Sequence, residues 1–230
     1  MVAVATAMGE SAIGVIRVSG PAALAVVTPV LKSSVPLEDF PSHTLRRVAV
    51  VDLATGERVD QALCVVMRAP RSATGEDVVE LSCHGSPALL RMVTRWLIAG
   101  GARLAEPGEF TRRAFLNGRL DLAQAEAVAL LISARTERAV ALAARALAGG
   151  LSERARALRE DLLDLVAGLE VTLDFPEEHA GLDVEKARHV VARLRAAAER
   201  WAAAARQGHV VHDGITVALV GPPNAGKSSL

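Results

Sequence analysis

Tyrosine is absent from the 230 residues, and aromatic side chains make up only 3% of them. That argues against the stacked aromatic platforms on which single-stranded nucleic acids are held. Neither sign of charge prevails, since Lys+Arg and Asp+Glu each number 26. The balance is also local, with 12 basic and 11 acidic residues over 1–118 and 13 and 15 over 119–213. The basic excess that marks a nucleic-acid binder is therefore missing. Cysteine is scarce: Cys64 and Cys83 sit in no CxxC or Cys/His cluster, which excludes a zinc ribbon and a disulfide framework and fits a reducing compartment. No apolar run approaches the ~18–20 residues that span a bilayer, and the start, Met1-Val-Ala-Val-Ala-Thr-Ala, has no positive leader region. The expectation is a cytoplasmic protein without a membrane segment.

With 51% hydrophobic and 23% charged residues, the composition is that of a folded globular chain. Short Val- and Ile-rich runs at 2–6, 13–18, 45–51, 62–67 and 78–83 predict strands, punctuated by Gly, Pro and Ser. Helices are predicted over 22–31, after Gly20-Pro21, and over 87–97, ahead of Gly100-Gly101. Interleaved strands and helices make this region α+β. The character changes near Asn117. Asp121 and Gln124 have capping-box spacing, and no Pro or Gly interrupts the chain from there to Ala148, which predicts one long helix. After Gly149-Gly150 a second helix carries Leu151, Ala155, Leu158, Leu162, Leu165, Leu169 and Leu173 on one stripe. Asp174-Phe-Pro-Glu-Glu178 ends it. A third helix, from Asp183 to about Arg206, aligns Ala187, Val190, Leu194, Ala197 and Trp201. The second region is thus an antiparallel helical array.

At the end of the chain an apolar, buried-type strand over 215–220 runs into Gly221-Pro-Pro-Asn-Ala-Gly-Lys-Ser228, which fits G-x-x-x-x-G-K-[ST]. A glycine-rich turn of this kind wraps backbone N–H groups around phosphates ahead of a helix N-terminus. Lys227 would reach the β- and γ-phosphates, and the Ser228 hydroxyl would ligate Mg²⁺. The loop alone supplies neither base specificity nor hydrolytic machinery.

Four further segments resemble one family. They are Gly14-Val-Ile-Arg-Val-Ser-Gly20, Thr74-Gly-Glu-Asp-Val-Val-Glu-Leu-Ser-Cys-His-Gly85, Pro107-Gly-Glu-Phe-Thr-Arg-Arg-Ala-Phe-Leu-Asn117 and Asp174-Phe-Pro-Glu-Glu178. Together with the closing loop, in this order, they resemble the tRNA modification GTPases called MnmE or TrmE. The resemblance implies a folate-binding α+β domain over 1–118, similar to aminomethyltransferase domains, which also forms a homodimer. It implies an incomplete helical bundle domain over 119–213 and the start of a P-loop α/β G domain over 214–230. The catalytic residues are then expected beyond Leu230, so that this chain binds reduced folate and dimerises but does not hydrolyse GTP. The family's activity, with an FAD-dependent partner of the MnmG (GidA) type, is to add a carboxymethylaminomethyl or aminomethyl group to C5 of the wobble uridine of tRNA. It draws on a one-carbon unit from 5-formyl- or methylene-tetrahydrofolate, and on GTP, Mg²⁺ and K⁺.

Arg17 and Glu80 are charges inside strand-like runs, and a charge taken out of water needs a partner. They can pair with each other as a structural salt bridge. Alternatively the carboxylate accepts two N–H bonds from a pterin edge while the guanidinium holds a folate carboxylate or carbonyl. Both match the family's folate motif, as does Arg119, where relatives often carry Lys and where a solvated charge ahead of a helix is the plain alternative. In the nucleotide loop the resemblance assigns Asn224, Ala225, Gly226, Lys227, Ser228 and Ser229 to GTP, Ser228 to Mg²⁺ and Asn224 to K⁺. Cys83-His84 reads as a strand end rather than a catalytic pair. Two other readings remain open: a stand-alone folate-dependent aminomethyltransferase-like protein, and a helical adaptor of a P-loop ATPase.

Overall fold

The computed structural model describes residues 1–175, 184–213, 218, 220–222, 226 and 227. The chain divides into two compact units, Met1–Ala125 and Glu126–Leu230. Among the described residues no helix is long and apolar enough to cross a membrane.

The first unit contains β1 (Val2–Val4), β2 (Ser11–Ser19), α1 (Ala23–Val27), β3 (Leu31–Lys32), β4 (Arg46–Val51), β5 (Arg58–Met67), β6 (Val78–Gly85), α2 (Pro87–Ala99) and α3 (Glu109–Leu116). The strands form one sheet in the order β1-β2-β6-β5-β4-β3. Every pairing within it is antiparallel. Side chains alternate between its faces. Ile16, Val18, Val50, Cys64, Val66, Val79 and Leu81 are buried in one core with Val27 of α1 and Leu90, Val93 and Leu97 of α2. Each fully buried aliphatic side chain of this kind stabilises the fold by ~1.5–3 kcal/mol. Gly14 lets α2 come close: a Cβ there would lie 2.5 Å from Leu90 Cδ1. The opposite face carries Val15 and Arg17 from β2, Glu80, Ser82 and His84 from β6, Leu63 and Val65 from β5, and Arg47 from β4, none of them fully buried.

Two expectations shift. The helix predicted over 22–31 ends at Val27, and a 3-10 turn over Thr28–Val30 leads into β3. Pro29 explains the stop, because it has no N–H to continue the ladder. Helix α3 was not anticipated. It starts after Gly108, whose φ of 73° is the left-handed turn that only glycine adopts freely.

In the helical region α4 (Leu122–Ser133) begins at the expected capping box. Asp121 N–H donates to Gln124 Oε1 and Gln124 N–H to Asp121 Oδ1, each at 2.9 Å. The single helix expected to reach Ala148 is instead two, with α5 at Glu137–Leu147. Thr136 causes the break. Its backbone is extended and its hydroxyl accepts the Ala139 N–H at 3.1 Å, offering the chain a new N-cap. Helix α6 (Gly150–Asp174) follows Gly149, which has φ 89°. Helix α7 (Val184–Asp213) runs on past Arg206. The Ala187, Val190, Leu194, Ala197 and Trp201 stripe is the less exposed face of α7, with Leu194 at 8%. The stripe on α6 behaves differently. Leu158 and Leu165 are half-buried, whereas Leu151, Leu162, Leu169 and Leu173 are exposed, and α6 has no buried residue at all. Residues 176–183, with most of the Asp174–Glu178 run, lie outside the described residues.

Candidate functional site

On the open face of the sheet two of the sequence-predicted residues, Arg17 and Glu80, meet. Register places Val65, Glu80, Arg17 and Ala3 on one rung across β5, β6, β2 and β1. Arg17 Nε donates to Glu80 Oε1 at 2.6 Å, with the two side chains 30% and 23% exposed. The charges are thus on the half-covered face, not in the core that the apolar runs suggested. The Arg17 guanidinium also stands 5.4 Å from the centroid of the Phe110 ring on α3, a cation–π distance. Among the described residues, Glu80 Oε2 and the terminal amino groups of Arg17 have no side-chain partner. Those atoms are an acceptor and two donor groups on a pair that is partly exposed.

A network that the sequence did not reveal holds α3 against this face. Arg113 Nη1 donates to both oxygens of Glu76, at 3.0 and 2.8 Å, and its Nη2 and Nε reach Glu109 Oε1 at 3.1 and 3.3 Å. Arg103 grips the same Glu109 through both terminal nitrogens, and the Glu106 N–H donates to it at 2.9 Å. Ser19 Oγ closes the chain by donating to Glu76 Oε2 at 2.8 Å. The side-chain bond from Arg103 is the main cause that pulls the Glu109 carboxyl down to about 2, with the Glu106 N–H next. Glu76 belongs to the Thr74–Gly85 segment, and Glu109 and Arg113 to the Pro107–Asn117 segment. The Glu76–Arg113 partnership is hidden from the sequence because the two are 37 residues apart, whereas Glu109 and Arg113 stand at i,i+4, a spacing that signals pairing once α3 is known to be a helix.

Arg119 is exposed and lies over Gly75: a Cβ on Gly75 would sit 3.2 Å from Arg119 Cγ and 3.1 Å from Asn117 Cβ. Gly75 itself has φ 78°, so a side chain there would be crowded by these neighbours and strained in conformation. Asn117 Nδ2 donates to the Thr74 carbonyl at 2.7 Å. The Arg119 side chain thus lies beside the loop that leads into β6, while the direct pairing is between Arg17 and Glu80.

Cys83 is buried, and burial followed by the nearby Asp60 charge pushes its thiol up to about 12. Cys64 is raised to about 12 as well, first by burial and then by Cys83. Neither thiol is a nucleophile at neutral pH, in line with the strand-end reading of Cys83.

Of the nucleotide loop, Gly221, Pro222, Gly226 and Lys227 are described. Lys227 Nζ donates to the carbonyls of Gly221 at 2.8 Å and Pro222 at 2.7 Å. Asn224, Ala225, Ser228 and Ser229, and with them the expected K⁺ and Mg²⁺ positions, lie outside the described residues. The buried strand expected over 215–220 is not seen where it can be judged. Ala218 and Val220 belong to no strand, and Val220 is 92% exposed. A strand of that type needs neighbours on both sides, and no described strand pairs with it.

Comparison with known proteins decides the family. The domain described as GTP-binding protein TrmE N-terminus matches residues 1–119, and the MnmE helical domain matches 122–221. The chain belongs to the MnmE (TrmE) family. It is 46% identical to the tRNA modification GTPase MnmE of Shouchella clausii, over 99% of this chain and 50% of that protein. The protein of the same name from Moorella thermoacetica is 47% identical, with the same coverage. The one from Lactobacillus delbrueckii is 42% identical, again over 99% and 50%. The chain spans about half the length of the curated relatives it matches. The α+β unit with its open sheet face is thus the MnmE N-terminal region, and α4 to α7 lie in its helical domain.

Proposed function

We propose that this chain serves tRNA modification as part of a GTP-hydrolysing enzyme, and that its N-terminal unit holds a reduced folate against the open sheet face. The relatives' name, tRNA modification GTPase, supports the first part. The observation that carries the second is the Arg17–Glu80 pair, half-exposed and clamped beside Phe110. The free Oε2 of Glu80 suits the paired N–H donors of a pterin edge, and the free nitrogens of Arg17 suit a carbonyl or carboxylate. The donor set therefore fits a folate. When bound, the folate would supply a one-carbon unit. The protein's share is to bind and orient: Glu80 fixes the pterin edge, Arg17 holds its acceptor, and Phe110 limits water beside the guanidinium. Arg119, above Gly75, is the family's third folate position and would add a cation at the rim.

The finer parts of the reading belong to the same proposal. They are dimerisation through the N-terminal unit, an FAD-dependent MnmG-type partner, cytoplasmic location and modification at C5 of the wobble uridine. The Gly221–Ser228 motif would cradle GTP with Mg²⁺ on Ser228 and K⁺ at Asn224, a reading that rests on the motif and on the family.

Calorimetric titration with 5-formyltetrahydrofolate tests the site. Arg17→Ala and Glu80→Ala should each weaken binding at least tenfold, about 1.4 kcal/mol, while circular dichroism stays native. Unchanged affinity in both folded variants would leave the pair as a structural salt bridge and remove the folate assignment.

A further inference from the structure

A second cluster on the open face lies outside the Arg17–Glu80 pair. Strand alternation puts Glu80, Ser82 and His84 on the same side of β6, so His84 is ~13 Å from Glu80 at ~3.3 Å per residue. Asp60, whose side chain is 6% exposed, is spent entirely on this strand end. Its Oδ1 accepts the Gln61 N–H at 2.7 Å, its Oδ2 accepts the His84 N–H at 3.0 Å, and Oδ1 also meets His84 Nδ1 at 2.5 Å. A carboxylate only accepts, so Nδ1 carries the proton and the ring is pinned in one tautomer and orientation. The imidazole itself is 73% exposed, with Nε2 turned away from its anchor. This is the arrangement in which a buried carboxylate orients a histidine for work at its other nitrogen.

Arg47 stands across the sheet. It is paired in register with Leu63, and Leu63 with Ser82. Among the described residues Arg47 makes no ion pair, and it is exposed. Arg47, Gln61, Ser82 and His84 line a cavity of about 260 Å³ together with Ile13 and Leu63. Those two aliphatic side chains are 60% and 45% exposed. The pocket thus offers a guanidinium fork, an oriented imidazole, a hydroxyl and an amide above an apolar rim. It contains no carboxylate, since Asp60 is turned to the strand end.

We propose that Arg47 and His84 bind an oxyanion, the carboxylate or phosphate end of a small molecule whose apolar part rests on Ile13 and Leu63. Arg47 takes the anion bidentately, His84 Nε2 donates to it when the ring is protonated, and Asp60 is a positioning residue that holds the ring. The site is separate from Arg17 and Glu80, so either assignment stands or falls without the other. A purely structural role for Asp60 and His84 would give no response to small anions.

The test follows the His84 ring signals by NMR in the whole chain, labelled at histidine, at constant ionic strength and pH 6. Sodium benzoate, sodium acetate and inorganic phosphate are titrated separately. Saturable shifts with benzoate at lower concentration than acetate are expected for a carboxylate ligand with an apolar body. Saturation by phosphate with no response to either carboxylate would assign the site to a phosphate-bearing ligand instead. Arg47→Ala, a surface change, should weaken the response at least tenfold, and Arg47→Lys should restore part of it. Drift without saturation for all three anions, or equal affinity in Arg47→Ala, would overturn the proposal.

Discussion

Glu109 shows how one residue can set the position of a site it does not touch. It accepts from Arg103, Arg113 and the Glu106 N–H, and so fixes the first turn of α3, the turn that carries Phe110 to Arg17. Its folded-state value of about 2 lies below the ordinary 4.5. A carboxyl shifted in that direction favours the folded state fully above pH 4.5, and this contribution is lost as the pH falls through about 2. Urea unfolding measured at steps between those pH values should therefore show stability falling with pH in the wild type. In Glu109→Gln the part of that slope due to Glu109 should vanish, and the midpoint at neutral pH should drop because two arginines lose their shared anion. A slope identical in both proteins would show that the network does not govern acid sensitivity. Arg17 and Glu80 were legible as candidates, because a charge within a Val- and Ile-rich run is conspicuous. Glu109 and Arg113 were not, since their i,i+4 spacing has meaning only on a helix and no helix was expected over Glu109–Leu116.

At the scale of single elements, local signals were read well where the partner is local and poorly where the alternative is also local. The Asp121–Gln124 box closes as its spacing requires. The break between α4 and α5 was hidden because Thr136 is tolerated inside a helix as well as at its cap. Only the extended backbone at that residue shows which option the chain takes. Thr136→Ala should cost α5 about 1 kcal/mol, visible as faster amide exchange over Glu137–Leu147 with the sheet unchanged. If exchange in α5 is unaffected, the cap is incidental and packing sets the boundary. The helix expected over 22–31 has the same lesson in reverse: Pro29 was in plain view, and its missing N–H is what turns the chain into β3.

Across the whole molecule, the two units differ in how much of their apolar surface is covered. In Met1–Ala125 one continuous core joins the sheet to α1 and α2. In Glu126–Leu230, α6 buries nothing fully, and Leu151, Leu162, Leu163, Val166, Leu169 and Leu173 are each at least 40% exposed. Few buried contacts mean low local opening energies. Segment-resolved hydrogen exchange over a concentration series should find α6 and α7 far less protected than β2, β5 and β6. Any gain in protection with concentration would mark self-association through the exposed stripe. Uniformly high protection in a monomeric sample would show that the helices are stable as they stand.

The sequence by itself determined the α+β character of the first unit, the helical second region, the inward stripe of α7 and the nucleotide-loop motif. Each of these is written in residues near one another, as a period of two, a period of 3.6 or a fixed eight-residue spacing. Tertiary structure decided what depends on residues far apart. It set strand order and register, and hence that Arg17 meets Glu80 across β2 and β6. It joined Glu76 to Arg113, and Asp60 to His84 beside Arg47. It also decided that only Leu158 and Leu165 of the α6 stripe are even half-buried, because a periodic stripe states only that a helix has an apolar face, and burial requires another surface to meet it.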